Sequence, residues 1–588
     1  MKNSFAPADF LIQWDESAGW RITSRCEVTP EGIEFLHLDF CAAKPLAPPR
    51  TQIIWKTPML DIQVRWTPLA GLNKNIPPEW SQPVASNLAI GAPVMTFCNQ
   101  RGENQLTYAV SDALRTVKCA GGVNEEKNLL VCKVILFDEP ESPISDYHVT
   151  LRLDWRNCFY ADSIRDVSDW YAGFAEYRPG GVPSAAFEPF YSTWYSFHQN
   201  LFAPELEKEC ALAADAGLRG VIVDDGWQTD DNNRGYAFCG DWQVSPRRFP
   251  DMPKHVENIH KLGMKYLLWY GVSVMGFKSN NYQRFADKCL YNIERNKTAI
   301  LDPRFPEVRD FLIQKYETAL KEWHLDGFKL DFIDNFKVEG VDPAIAQDYA
   351  GRDIKSIPMA VDRLLSDVIT RLKAIKPDIL IEFRQNYIGP AIRKYGNIFR
   401  VADCPADIAV HRVRMVDLRL FSGNTAVHSD MLEWNMASTA EVAARQLLNV
   451  IFSVPQISIR FAELPAEHKK MLGFWLDFAV KHRDVLLEGK FMPYHPELNY
   501  PVISASKDQK KVTAIYQSNL VVNAASESKE LWIINASAEN QVVLDVSETP
   551  REAELWDTMG NAQKAPELTQ GLNKVTIPCS GLMKIVWK

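Results

Sequence analysis

Two charged residues interrupt an apolar run in Leu325-Asp326-Gly327-Phe328-Lys329-Leu330-Asp331-Phe332-Ile333-Asp334. In an extended strand Lys329 and Asp331 lie on one face, because side chains alternate. A strand apolar on both faces belongs to a parallel sheet covered by helices, and an ion buried there is costly unless paired. At the carboxyl end of a barrel strand such a pair reads as a site; a Lys–Asp pair that only closes the barrel mouth is the plainer reading. More ionisable groups follow other short apolar runs: Asp224-Asp225-Gly226-Trp227, then Glu382 and Arg384, Arg400 and Asp403, His428 and Asp430. An Asp after a strand is also a common helix N-cap, and that reading weighs on Asp334 and Asp430 as heavily as a functional one. Five runs that all end this way favour one shared mouth.

Carboxylates of distinct pKa in one mouth suit glycoside hydrolysis: one held ionised as nucleophile, one protonated as general acid. Lys329 would lower the pKa of a neighbouring carboxylate. Asp224 and Asp225, as ionised acceptors, suit pairs of sugar hydroxyls. Trp194, Trp227 and Trp269 offer flat apolar faces to a sugar ring, or pack the wall. The reading from a different class is a divalent-metal barrel enzyme, with Asp224, Asp331 and Asp403 as oxygen ligands. A protein that only binds sugar would not need so many acids.

Residues from about 185 to 487 alternate strand and helix, the pattern of a parallel sheet with helical crossovers. Eight strands are expected: 190–194, 220–224, 265–270, 327–331, 379–384, 398–403, 425–430 and 456–461. Pro306 opens a helix as its first residue, with Val308, Phe311, Leu312, Tyr316, Ala319, Leu320 and Trp323 at the 3.6 period and Lys315 the one polar interruption. Further helices are expected over 358–375, 439–453 and 465–487. Eight such units predict a (β/α)8 TIM barrel; no GxGxxG follows any strand, which argues against a doubly wound sheet. Residues 1–160 carry short alternating runs such as Ile33–Leu38 and Tyr147–Leu153, an N-terminal antiparallel β-sandwich. Residues 161–184 read as a helical linker, amphipathic over 163–177 and closed by Pro179-Gly180-Gly181-Val182-Pro183. Residues 488–588 return to strands, a small C-terminal antiparallel β-sandwich.

The net charge of −9 over 588 residues gives no support to nucleic-acid binding, which wants a basic face. No apolar run of about 18 residues occurs, so no membrane span is expected. The stretch from Met1 to Asp9 has no apolar leader pattern. Eleven scattered cysteines without a CxxC fit reduced thiols. A cytoplasmic enzyme is the expectation.

The residues resemble the retaining α-galactosidases of glycoside hydrolase family 36. The resemblance is carried by Ser192 to Phe197, Val223-Asp224-Asp225-Gly226-Trp227-Gln228, Gly235 through Asp241-Trp242 to Phe249-Pro250, Leu268-Trp269, Phe328-Lys329-Leu330-Asp331-Phe332 and Arg400-Val401-Ala402-Asp403. It implies Asp331 as nucleophile and Asp403 as acid/base, with Asp407 as rival. It further implies Asp224, Asp225, Lys329 and Arg400 on the sugar, and Trp194 and Trp269 lining its pocket. Double displacement through a glycosyl-Asp331 would need no metal or organic cofactor. The substrate would be a short oligosaccharide or other glycoside, and homo-oligomers are common in such a family. The departure lies after strand 5. Where the family shows a Cys and a glycine-rich run, this chain has Glu382-Phe383-Arg384-Gln385-Asn386-Tyr387. Arg384 would then reshape the pocket, for galactose or for another sugar such as N-acetylgalactosamine or an acidic one.

Overall fold

A computed structural model describes residues 8–16, 19–139 and 141–587. The first residues of the stretch read for a leader lie outside them. Eight parallel strands close into a barrel: β1 Phe190–Ser192, β2 Gly220–Val223, β3 Lys265–Gly271, β4 Gly327–Asp331, β5 Leu380–Arg384, β6 Ile398–Arg400, β7 Ala426–Leu432 and β8 Val454–Ile457. Phe190 of β1 pairs with Gly220 of β2 and with Gln456 of β8, which closes the ring. All eight expected strands are there; β1, β2, β6 and β8 stop earlier than expected, and β8 also begins earlier. Asp224 and Asp403 therefore sit on the loops just past their strands. Gly327 opens β4 because a Cβ there would strike the Leu380 carbonyl; the two strands approach too closely for any side chain.

The helix Pro306–Trp323 buries Val308, Phe311, Leu312, Tyr316, Ala319 and Leu320. Tyr316 packs against Phe328 of β4 and Tyr270 of β3, at 5.8 and 5.1 Å between ring centres. Each such buried side chain contributes about 1.5–3 kcal/mol. Lys315, the polar interruption, reaches across to the Asp241 carbonyl at 2.8 Å. It so ties the helix to the loop after β2. The expected helix 465–487 is two, Ala466–Lys481 and Arg483–Glu488. The helix expected over 163–177 is Tyr160–Ala172, followed by a 3-10 turn, Ala175–Tyr177.

The N-terminal strands form five- and six-stranded sheets whose ladders are antiparallel, packed on Leu36, Leu38, Phe40, Trp55 and Tyr108. The C-terminal sheets depart from the purely antiparallel expectation. Lys510–Ile515 runs parallel to Glu530–Asn535, and Val521–Ala524 parallel to Gln541–Val546. Each of these two pairs is separated in the chain by a strand of the other sheet, while Glu530–Asn535 with Gly581–Val586 and Gln541–Val546 with Gly571–Thr576 pair antiparallel. Asp417, buried on the helix Ile408–Phe421, joins the three parts. It accepts from Trp66 Nε1 at 2.9 Å and from the Tyr500 hydroxyl at 2.7 Å.

At the foot of β4, Asp326 accepts from His260 Nε2 (2.7 Å), Lys265 Nζ (3.1 Å) and the Tyr266 amide (2.9 Å). Burial alone would raise its pKa, but the Tyr266 amide and Lys265 outweigh it and hold the carboxyl below its ordinary value. Its stabilisation is therefore present above the usual Asp value, near pH 4, and is lost as pH falls through the lower folded value. Asp326→Ala is expected to cost about 1–3 kcal/mol, mostly for the stranded Tyr266 amide, since Lys265 and His260 can turn to water. Urea denaturation at pH 7 and at pH 3 measures it, and the difference between the two proteins should be smaller at the acid end.

Candidate active site

β4 ends in the mouth with Lys329 and Asp331 on one face. Lys329 is 4% exposed, so its charge needs partners. Its Nζ lies 2.5 Å from Asp224 Oδ2 and 3.9 Å from Asp331 Oδ2. The two oxygens of Asp331 are treated unequally. Oδ1 accepts from Arg384 Nε (2.7 Å), the Tyr387 hydroxyl (2.7 Å) and the Phe332 amide (2.8 Å). Oδ2 accepts from Trp269 Nε1 at 3.1 Å. Burial pushes the Asp331 carboxyl up, but Arg384 and then Lys329 outweigh it, and the Tyr387 bond adds to them. It is held well below the usual carboxylate range. An opposite charge in contact does this by favouring the ionised form.

Arg400, at the end of β6, is buried among three carboxylates. It pairs with Asp430 of β7, donates to Asp403 Oδ1 at 2.9 Å, and lies 3.5 Å from Glu382 of β5. Asp403 is the exposed member, its side chain 53% accessible. Burial raises its pKa, Arg400 and Lys329 lower it more, and the charge on Asp331 pushes back upward. Asp430 also accepts from the Tyr195 hydroxyl (2.9 Å) and the Cys404 amide (2.7 Å), which fixes the loop that carries Asp403. Asp407, the rival, is the N-cap of the helix Ile408–Phe421 and accepts from the Val410 amide at 3.0 Å. That is a structural task.

The expected sugar-binding residues divide. Asp224, Lys329, Asp331, Arg384, Arg400 and Asp403 come together at one mouth. Trp194 is half-buried at the head of a short helix, its ring edge-on to His198. Trp269 is buried, holding Asp331 through its N–H while its ring meets Phe332 and Tyr236. Trp227 corrects the expectation. It is 0% exposed, donates to the Trp269 carbonyl at 2.9 Å, and is enclosed by Trp242, Tyr270 and Trp323. It packs the wall behind Trp269 and presents no face to a sugar. Asp225 is buried too, with its oxygens engaged by Gln199 Nε2 and Gln228 Nε2, both at 2.6 Å. Burial leaves its pKa at about 6.

Several residues of the site escaped the sequence reading as participants. Tyr387 stood in the strand-5 loop only as part of a departure. Gln456 holds Glu382 at 2.5 Å and faces His428 Nδ1 at 3.1 Å; its signal was a lone amide at the start of an expected strand. Gln228 stood only as the last residue of a segment that carried the resemblance, and Gln199 carried no signal. The N-terminal part reaches the site as well. The Gly91 amide donates to the Asn386 carbonyl at 2.8 Å, and Gly389 lies so close to Gly91 that a Cβ would meet its carbonyl at 2.5 Å. The strand-5 loop is thus propped from outside the barrel. The three carboxylates weighed as metal ligands each face a different cation: Asp224 meets Lys329, Asp331 meets Arg384 and Asp403 meets Arg400. Among the described residues no group of three or more His, Cys, Asp or Glu is gathered for a metal ion.

Arg384 is the first of the charges that hold Asp331 ionised, so Arg384→Gln should raise that pKa. Any activity that needs ionised Asp331 should then lose its acidic limb at higher pH than the parent does. The pH profile of kcat/KM measures this; an unmoved limb would show that the pair does not persist in solution.

Residues 190–384, β1 to β5, match the Melibiase family model. The α-galactosidase Mel36A of Lactobacillus acidophilus is 26% identical over 200 residues, 32% of this chain and 26% of that protein. An α-galactosidase of Escherichia coli is 22% identical over 348 residues, 55% of this chain and 48% of that protein. The chain thus spans less than half the length of these relatives. Among solved structures, the GH36 α-galactosidase AgaB of Geobacillus stearothermophilus superposes with a TM-score of 0.64 at 13% identity, covering 98% of this chain and 82% of that one. A variant of AgaA from the same organism, solved with raffinose, gives 0.62 at 12% identity, covering 100% and 88%. At such identity the likeness speaks for the fold.

Proposed function

We propose that the chain, which matches the Melibiase family model over residues 190–384 and resembles α-galactosidases of glycoside hydrolase family 36, is a retaining, exo-acting α-glycosidase, in the first place an α-galactosidase. The observation that carries this is the contrast between its two strand-end carboxylates: Asp331 buried and held ionised, Asp403 exposed on the rim. The relatives named above are α-galactosidases, and the AgaA variant binds raffinose, an α-galactoside, in the same fold.

Oδ1 of Asp331 has three donors and Oδ2 one close donor, so Oδ2 is the oxygen free to attack. It would bond to the anomeric carbon from the face opposite the leaving group, as the glycosidic C–O bond breaks. Asp403 would give its proton to the departing oxygen. A sugar seated over Asp403 removes water from it and raises its pKa, and the charge on Asp331 pushes the same way. Once Asp331 is esterified that charge is gone. The pKa of Asp403 then falls, and the group takes a proton from water, which attacks the same carbon and releases Asp331. Two inversions leave the α-configuration. Asp224 and Lys329 would hold hydroxyls of the sugar in the −1 position, with Trp194 at its edge.

Arg384 favours a second reading, an α-glycosidase for a substituted or acidic sugar, because a guanidinium stands beside Asp331 at the mouth. A panel of nitrophenyl glycosides tests both: α- and β-galactoside, α-N-acetylgalactosaminide and α-galacturonide. Turnover of the α-galactoside alone is expected. Preference for the acidic or N-acetylated sugar would support the second reading, and turnover of the β-anomer alone would sink both.

A further inference from the structure

At the end of the barrel opposite the mouth lies a cavity of about 950 Å³. It sits where the helix Tyr160–Ala172, the approaches to β1 and β7, and the chain around Phe491 meet. That is large enough for a small organic molecule. Two arginines line it without a carboxylate partner. Arg393 is 4% exposed, and its guanidinium donates only to neutral oxygens: Thr425 Oγ1 (3.2 Å), Ser168 Oγ (2.9 Å) and Asn424 Oδ1 (3.0 Å). It lies flat against Gly423, where any Cβ would collide with it. Arg419, in the last turn of the helix Ile408–Phe421, makes no hydrogen bond or ion pair to any oxygen among the described residues. Its guanidinium rests on the Phe491 ring at 5.1 Å.

The charges around them do not close the account. Arg165 is paired with Asp162 at 2.6 Å, Lys490 with the same Asp at 3.3 Å, and Glu488 with Lys507 at 2.6 Å. Asp169 is exposed on the rim; it favours the charge of Arg393 from a distance, but among the described residues it makes no ion pair within 4 Å. Burial holds the pKa of both Arg393 and Arg419 down to about 10, and for Arg419 the neighbouring Arg165 adds to the effect. The helix C-terminus favours a cation near Arg419, but it is a partial charge that leaves the guanidinium donors unused. Arg393 is buried and Arg419 half-buried; a buried arginine is ordinarily paired, and the guanidinium fork of both matches the geometry of carboxylate and phosphate.

We propose that this cavity binds a small organic oxyanion, gripped through a phosphate or carboxylate group by Arg393 and Arg419, with its carbon skeleton against Phe187, Val427 and Phe491. The site is separate from the mouth and does not depend on the proposed glycosidase reading.

Isothermal titration calorimetry in low-salt, phosphate-free buffer tests it, with inorganic phosphate, glucose 6-phosphate, citrate and uncharged glucose as probes. Saturable binding of at least one anion and none of glucose is expected. Glucose 6-phosphate binding above inorganic phosphate would identify an organic phosphate, and citrate alone a carboxylate ligand. Arg419→Gln should weaken binding about 10-fold or more, the loss of a charge-assisted contact. Asp331→Asn should leave it unchanged. Should Arg419→Gln fail to fold, Arg419→Lys keeps the charge but not the fork and should still bind more weakly than the parent. No saturable binding up to about 10 mM, where specific recognition gives way to weak association, would overturn the proposal. So would affinity unchanged by the substitutions at Arg419, or affinity lost in Asp331→Asn.

Discussion

Asp331→Asn is expected to lower kcat/KM on the best α-glycoside by at least about 10³-fold, because the enzyme loses the atom that forms the covalent intermediate. The substitution keeps the shape of the side chain, so the melting temperature should stay near that of the parent. The role is separable from a general electrostatic one. Asp331→Ala leaves a gap at the anomeric carbon bounded by Arg384, Tyr387 and Trp269, and azide fits such a gap. Azide entering there attacks once, from the face Asp331 would have used, so an α-glycoside should yield the β-glycosyl azide. Residual turnover within tenfold of the parent would end the nucleophile assignment.

Removal of the second carboxylate should act differently. Asp403→Ala is expected to cost about 10²–10⁴-fold on substrates with a poor leaving group, the usual worth of a general acid. It should cost far less in the first step on an activated nitrophenyl glycoside, whose leaving oxygen departs without a proton. Glycosyl-Asp331 then accumulates because no base activates water. Pre-steady-state kinetics should show a burst of nitrophenol, and azide should relieve the slow step to give the α-glycosyl azide. The opposite anomers from the two variants distinguish the two roles in one experiment. The absence of any leaving-group dependence would move the acid away from Asp403. Asp407 is a poor substitute, since its carboxylate caps a helix.

The barrel was legible because its strands are short apolar runs set between periodic helices, and that pattern survives in any single sequence. The Lys329–Asp331 pair was legible for a simpler reason: two charges at a two-residue spacing inside an apolar strand must share a face and must be paired. The division between Asp331 and Asp403 was expected only through family resemblance. Their different environments come from Arg384, Tyr387 and Arg400, which contact them across 53, 56 and three positions of chain. The tryptophans show the limit most plainly. Trp227 and Trp269 carry the same ring at neighbouring strand ends, and nothing in their types says that one seals the wall while the other holds a carboxylate.

What the sequence by itself determined is local: where strands and helices lie, and which ionisable groups stand at strand ends. Periodicity and the cost of burying charge act over a few residues and can be read from them. Only the tertiary structure decided which of those groups meet. The barrel sets β4 beside β5 and β5 beside β6, so Asp331 falls under Arg384 and Tyr387, while Arg400 is shared between Asp403, Asp430 and Glu382. The N-terminal part then props the strand-5 loop through Gly91 and Asn386. Pairings over such separations depend on strand register and on close packing, and neither is written in the order of residues along any one segment.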